Sequence, residues 1–399
     1  MDGTQLIVAG RFIDGSGAAA RRNIYLRIKN GMITAIDSAV CLPCNDGAVV
    51  VDFSHCTIVP ALVDCSVSLS RSPSIDARMQ FAAEKSDLPD KVSLLARHIG
   101  YCHAHGVLGV AVNDDINILR AYGRRAMARE RIIDIRASAS FSCGGRQTLA
   151  EETNGDFIKF VCPGSIEDNN APFSRPDYEA LCCILRHRGG RKVVVTANGP
   201  RQVEAALKAG CDAIEQGYGM GEENLRTMAA RNVLWIPSVL RAKNALDGAG
   251  GSGDVCCRFS HRYVAPGKPA PGAEAFWKKT LAGQLQLLRS ARKLGVTTAV
   301  GSGAGSTGIL HGESVAEEMK LFIKAGYSRE ETIRCASANG AEFFGMNALG
   351  RLRAGGRATF LITRGTVQQL PRKLSYLEGI YVDGAPSVIY RKNPAVSVR

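Results

Sequence analysis

Long apolar runs are missing from this 399-residue sequence. No stretch reaches the roughly 18 to 20 consecutive apolar residues that a membrane-spanning helix needs, so no membrane partner is expected. Aromatic residues are scarce, at 6%. Nowhere do they interleave with basic residues as a base-stacking platform would, so no nucleic-acid partner is expected either. The start, MDGTQLIVAG, has no basic region followed by an apolar stretch, and no secretory signal is expected from it. Acidic residues are in deficit, 37 against 50 Lys and Arg, for a net charge of +13. That deficit is uneven: residues 351–399 carry nine basic residues against Glu378 and Asp383, whereas the first sixty carry five of each sign. Such a patch reads as a solvated basic face. Cysteine is present, but its thirteen residues are odd in number and scattered over a long chain. That excludes a small disulfide framework and points to reduced thiols in a cytoplasmic setting.

What is present is a change of texture along the chain. LIVAGRFID, NIYLRIKNG, MITAID and VVVDFS are β-branched segments broken by turn residues, and RATFLITRG, LSYLEGIYVDG and APSVIYRK repeat that texture at the other end. Between them, short apolar runs alternate with amphipathic segments of helical length, the pattern of βαβ units on a parallel sheet. Eight runs serve as barrel strands: 58–69, 106–112, 132–140, 156–162, 192–197, 212–217, 232–238 and 295–302. The expected fold class is therefore α/β, a (β/α)8 TIM barrel with a small β-sandwich domain built from both chain termini. The expected divisions are 1–58 and 347–399 for the sandwich and 59–346 for the barrel. The Gly- and Pro-rich stretch Leu246–Ala273 reads as a long loop on the mouth side.

The strand ends carry a resemblance. IVPALVDCSVSL, DFIKF, VVVTANGPRQVEAALKAGCDAIEQG, NVLWIPSVL, AVGSGAGSTGILHGE, CASANGAEFFG and LGRLRAGGRATFLI follow in the order that resembles the amidohydrolase superfamily, in particular its imidazolonepropionase- and prolidase-like branch. The resemblance implies a homo-oligomer and one or two divalent metals at the barrel mouth. Its ligands would be a His-x-His pair on strand one, a lysine on strand four, histidines on strands five and six, and an aspartate on strand eight. At those positions this chain has Ser66 and Ser68, Lys159, Thr196, Gln216 and Gly303. Only Lys159 keeps the family residue. Hydroxyls, an amide and a glycine supply neither the charge nor the donors a catalytic zinc needs. Without a cation, water is not activated at neutral pH.

Other residues do not fill the gap. Strand alternation places Cys65 and Cys162 on the helix side as packing residues, and turns Glu215 away from the mouth. His103 and His105 precede strand two and read as a surface turn at the barrel bottom, which carries stability rather than chemistry. Cys41 and Cys44 have half a zinc-knuckle spacing with no second pair, and read as a structural loop. His311, in GILHGE, lies on the mouth side and either lines the pocket or caps the next helix. Arg146 stands where the resemblance implies a histidine, and with Lys159 would make the mouth cationic, suited to a small anionic ligand. Lys159 itself reads as a structural ion-pair partner, a contact for that ligand, or a Schiff-base nucleophile. The expected function is a metal-free small-molecule-binding protein or pseudoenzyme, without a cofactor. The alternatives are a repurposed enzyme using Lys159, and a C–N bond hydrolase with an atypical metal site.

Overall fold

The computed structural model describes residues 4–41, 47–126, 132–140, 155–164, 166, 173–249 and 271–390. Arg146, Cys44 and most of the Leu246–Ala273 stretch fall outside them. The chain begins with β1 (Gln5–Phe12), β2 (Arg21–Lys29), β3 (Met32–Ser38) and β4 (Val49–Pro60). β1 pairs antiparallel with β2 and parallel with β4, and β2 pairs antiparallel with β3. The expected first barrel strand is split at Ala61: residues 58–60 belong to β4, and the barrel starts with β5 (Leu62–Val67).

Helices α1 (Ala77–Lys85) and α2 (Leu88–Ala104) lead to β6 (Val107–Val112), and α3 (Ile116–Ala126) follows it. Then come β7 (Asp134–Ser140), β8 (Phe157–Val161), α4 (Arg175–Arg186), β9 (Val193–Ala197), α5 (Gly199–Ala209), β10 (Ala213–Gln216), α6 (Glu222–Arg231) and β11 (Leu234–Ile236). The seven strands pair in parallel in chain order. The eighth position is filled by residues 297–304, hydrogen-bonded to both edges. Trp235 N donates to Thr297 O and Ala299 N to Trp235 O on one side; Cys65 N donates to Val300 O and Ser68 N to Ala304 O on the other, each at 2.9 Å. The remaining helices are α7 (Val239–Ala249), α8 (Ala273–Leu294), α9 (Glu313–Lys324), α10 (Arg329–Cys335) and α11 (Ala338–Phe343). Leu246–Ala249, expected as loop, thus end a helix, whose apolar positions continue past the Gly- and Pro-rich boundary. No helix of the described residues is long and apolar enough to cross a membrane.

Two apolar layers define inside and outside. Phe157, Val194, Ala213, Leu234 and Ile236 fill the barrel interior. The opposite parity, Ile158, Val193, Val195, Ile214 and Trp235, packs under the helices. Helix α11 plugs the barrel from below: Phe344 sets its ring on Phe157 at 4.9 Å. Gly340 lies so close to Val63 and Cys65 that a Cβ there would overlap the Cys65 sulfur. Cys65 therefore faces inward, contrary to the alternation argument. The four residues Asp64–Val67 of β5 run opposite the three residues Val110–Val112 of β6, a bulge that breaks the two-residue period. Gly340→Ala is expected to destabilise the fold by about 1 to 3 kcal/mol, since a packed core resists added volume. A denaturation midpoint equal to that of the parent would refute the tight seating of α11.

The C-terminal strands β12 (Phe360–Arg364), β13 (Leu377–Val382) and β14 (Ala385–Pro386) complete the terminal domain. β12 pairs antiparallel with β4, so both chain ends share one seven-stranded sheet. It curls until Met32 bridges Arg357, enclosing Ile7, Leu26, Ile58, Phe360 and Ile362. His103 is not on a surface turn: it is buried at the end of α2 and shares a 3.0 Å hydrogen bond with Ser387. Burial pushes its pKa down to about 4. His105, the other member of the pair, is half-buried, and its Nδ1 meets Tyr101 O at 2.8 Å.

Candidate functional site

The ends of β5, β8, β9 and β10 converge on one carboxylate. Glu215 shares the inward parity of Ala213, and both its oxygens are occupied. Lys159 Nζ lies 2.6 Å from Oε2, Thr196 Oγ1 donates to Oε2 at 2.9 Å, and Ser66 Oγ donates to Oε1 at 2.5 Å. Burial alone would raise the Glu215 pKa. The Lys159 charge and the bonds from Lys159, Ser66 and Thr196 outweigh it and hold the carboxyl below its ordinary value. Ser66, Lys159 and Thr196 thus come together as the strand-end pattern predicts, but around a residue that reading had turned away. On β10 the inward side chain is Glu215. Gln216, at the strand end, takes a left-handed φ of 71° before Gly217 at 67°. This double turn gives the Gln216 carbonyl to Trp235 Nε1 and Gln284 Nε2, and brings its side chain to the cleft above.

A second buried carboxylate lies beside the first. Asp64 accepts from Ser66 N at 3.2 Å, from Ser302 N at 2.8 Å, and from Ser302 Oγ. Burial raises its pKa to about 6 against these bonds. A carboxyl whose pKa is raised from 3.8 holds its proton longer in the folded state. Its contribution to stability therefore falls as pH rises from about 4 to about 6. Asp64→Asn is expected to flatten that part of the profile, read as denaturation midpoint against pH. An unchanged slope would sink the assignment.

The other predicted positions are not brought into this cluster. Ser68 Oγ donates to Asp114 at 2.8 Å, a carboxylate that also takes Leu69 N, Ser70 N and Ser70 Oγ. His311 does not line the cleft. Its ring stacks on His98 with centroids 3.7 Å apart, and its Nε2 meets Ser68 O at 2.8 Å. Burial, then the neighbouring His98, lowers its pKa to about 3, so the pair is neutral. Gly303, with φ of 75°, donates its N–H to Ser66 O.

Above the cluster opens a cleft of about 490 Å³, lined in part by Thr196, Asn198, Gln216, Arg241, Asn244 and Trp277. Cys162, just past β8, is buried at its edge. Arg241, Asn244 and Trp277 were not singled out from sequence. They stand on helices after strand seven, and only the phrase PSVLRAKNAL, directly after a strand, could have drawn attention to the first two.

A parallel barrel opening at its strand ends, framed by a sheet from both termini, defines a class of barrel proteins with the site at the mouth. The chain belongs to the amidohydrolase family, whose sequence profile matches residues 169–392. Among curated proteins it is similar to an uncharacterized protein of Mycobacterium tuberculosis and to one of Mycobacterium bovis. Each is 24% identical over 301 residues, covering 73% of this chain and 75% of the relative. Solved structures with the same fold include a Xaa-Pro dipeptidase with bound methionine in its active site (19% identity, TM-score 0.76, 96% of this chain and 100% of that one). Another is A. niger ochratoxinase (18%, 0.74, 96% and 95%), and a third is molinate hydrolase (14%, 0.72, 97% and 95%).

The divalent metal implied by the family can be tested against these residues. Among the described residues no three His, Cys, Asp or Glu side chains are grouped to hold an ion. At the predicted ligand positions Ser66 and Thr196 give their hydroxyls to Glu215 and Ser68 gives its own to Asp114; the Glu215 charge is matched by Lys159, and Asp64 is occupied by Ser66 N and Ser302. The residues present do not fit a catalytic zinc.

Proposed function

We propose that this chain has given up metal-dependent hydrolysis and works as a small-molecule-binding protein of the amidohydrolase fold. The observation that carries this reading is the convergence of Ser66, Lys159 and Thr196 on Glu215. Three strand ends that would hold a cation instead satisfy a carboxylate, with the ammonium as its only cationic partner among the described residues. The ion pair sums to zero, and the Asp64 carboxylate beside it is already occupied by Ser66 N, Ser302 N and Ser302 Oγ, so neither carboxylate is left open to a divalent ion. The cleft above it has the size and the mixed polar and apolar lining of a small-molecule site. Lys159 is a poor fit for the Schiff-base alternative. To attack a carbonyl, Nζ would have to leave Glu215 buried and unpaired.

Elemental analysis of the purified chain is expected to find zinc, manganese and iron far below one per protomer. Zinc or chelator is expected to leave the thermal transition in place. A genuine site would add about 2.7 kcal/mol at a ligand concentration one hundred times Kd, an upward shift that is easily read. Stoichiometric metal removable by chelator, with a matching fall in the transition, would overturn the proposal.

A further inference from the structure

The cleft contains a cation that the fold does not neutralise. Arg241, half-buried in the first turn of α7, lines the cleft, and its side chain makes no hydrogen bond or ion pair among the described residues. Nearby acids are taken: Asp247 pairs with Lys243 at 2.6 Å, and Glu318 accepts from Val239 N and Leu240 N. Opposite Arg241 stands Gly303, where a Cβ would meet the arginine Cγ at 3.5 Å and Cδ at 3.7 Å, ordinary contact distances. A side chain there would lie along Arg241; glycine leaves that space to a ligand. Gln216 offers a second donor. Its Oε1 accepts from Asn198 at 2.8 Å, while its Nε2 has no partner among the described residues. Asn244 is already committed to Thr307 O, and Trp277 and Ile309 give the cleft apolar wall.

We infer that the cleft takes a small monocarboxylate, its carboxylate on the Arg241 guanidinium beside Gly303 and its apolar part against Trp277 and Ile309. The charge count selects the class. Lys159 is cancelled by Glu215, so among the described residues Arg241 is the cation left for the ligand, and a phosphate dianion would carry surplus charge into a half-enclosed site. A planar guanidinium also matches a carboxylate in two parallel hydrogen bonds. This inference rests on the metal-free reading above and deepens it.

The test is calorimetric titration of the full chain, with its metal content measured in the same preparation. The probes are a set of monocarboxylates from benzoate to N-acetyl-leucine, each with its neutral amide and a phosphate monoester of similar size. At least one carboxylate is expected to bind saturably, with its amide and the phosphate ester weaker by about tenfold or more. Arg241→Gln should lose about as much. Gly303→Asp should abolish binding too, because its own carboxylate would occupy the guanidinium; denaturation midpoints of both variants control for folding. The inference is overturned if no carboxylate of the set binds metal-free protein, if an amide or phosphate ester binds as tightly, or if Arg241→Gln binds unchanged. Binding that appears only with added zinc would sink the metal-free reading as well. Absent binding with no metal present sinks the carboxylate alone.

Discussion

Lys159→Met is expected to cost about 3 to 5 kcal/mol of unfolding free energy, because removing one partner of a buried ion pair strands the other. Glu215 is 6% exposed and has no second cation among the described residues. The double variant Lys159→Met, Glu215→Gln should recover most of the loss, since the amide oxygen can accept from one of the two hydroxyls of Ser66 and Thr196 and the amide NH2 can donate to the other. The pH dependence separates this from a simple packing defect. In the parent the Glu215 pKa lies below its ordinary 4.5, so its stabilising contribution is complete above that value. It is lost as pH falls through the lower, folded-state value. In Lys159→Met burial is left without its main counterweight, the pKa rises, and the sign reverses. The gap between parent and variant should narrow as pH falls from about 8 to about 5. Urea denaturation at several pH values reads this directly, and a gap that does not change with pH would refute the pairing.

Glu318→Ala is the second large effect, expected at about 2 to 5 kcal/mol. The side chain reaches from α9 to the first turn of α7, where its two oxygens accept Val239 N at 2.8 Å and Leu240 N at 2.6 Å. Removing it leaves two buried N–H groups without acceptors, each costing about 1 to 3 kcal/mol. Burial pushes the Glu318 pKa up to about 8, against the two backbone bonds. A raised carboxyl pKa makes the fold less stable as pH climbs from about 4.5 to 8, and Glu318→Gln should remove that slope. Because α7 also carries Arg241, the alanine variant should bind carboxylates more weakly even where it remains folded. A destabilisation below about 1 kcal/mol would show that the helix start is held by something else.

Much of the frame was legible in the residues. β-branched runs between amphipathic segments marked all eight staves of the barrel, and the texture shared by the two ends marked the terminal domain. Ser66, Thr196 and Lys159, read from strand ends, meet around Glu215, because two of those strands keep their period to the end. The errors share a cause. Cys65 and Glu215 were assigned faces by strict alternation, whereas β5 is bulged and β10 ends in left-handed residues. A one-residue slip reverses every side chain beyond it. Ser68 and His311 were drawn to the mouth by their order in the chain. The structure gives them to Asp114 and His98, which lie 46 and 213 positions away.

Residue chemistry alone determined what stands at the positions where the resemblance implies ligands, because a hydroxyl, an amide or a glycine is that wherever the chain places it. Residue chemistry also determined that a lysine remains at the mouth. Only the tertiary structure decided what that lysine does, since its partner comes from another strand and its face depends on a local twist. The same holds for Arg241. An arginine beginning a helix is ordinary in sequence; that its side chain meets no partner among the described residues of the cleft, with Gly303 opposite, arises only when strands seven and eight close beside one another.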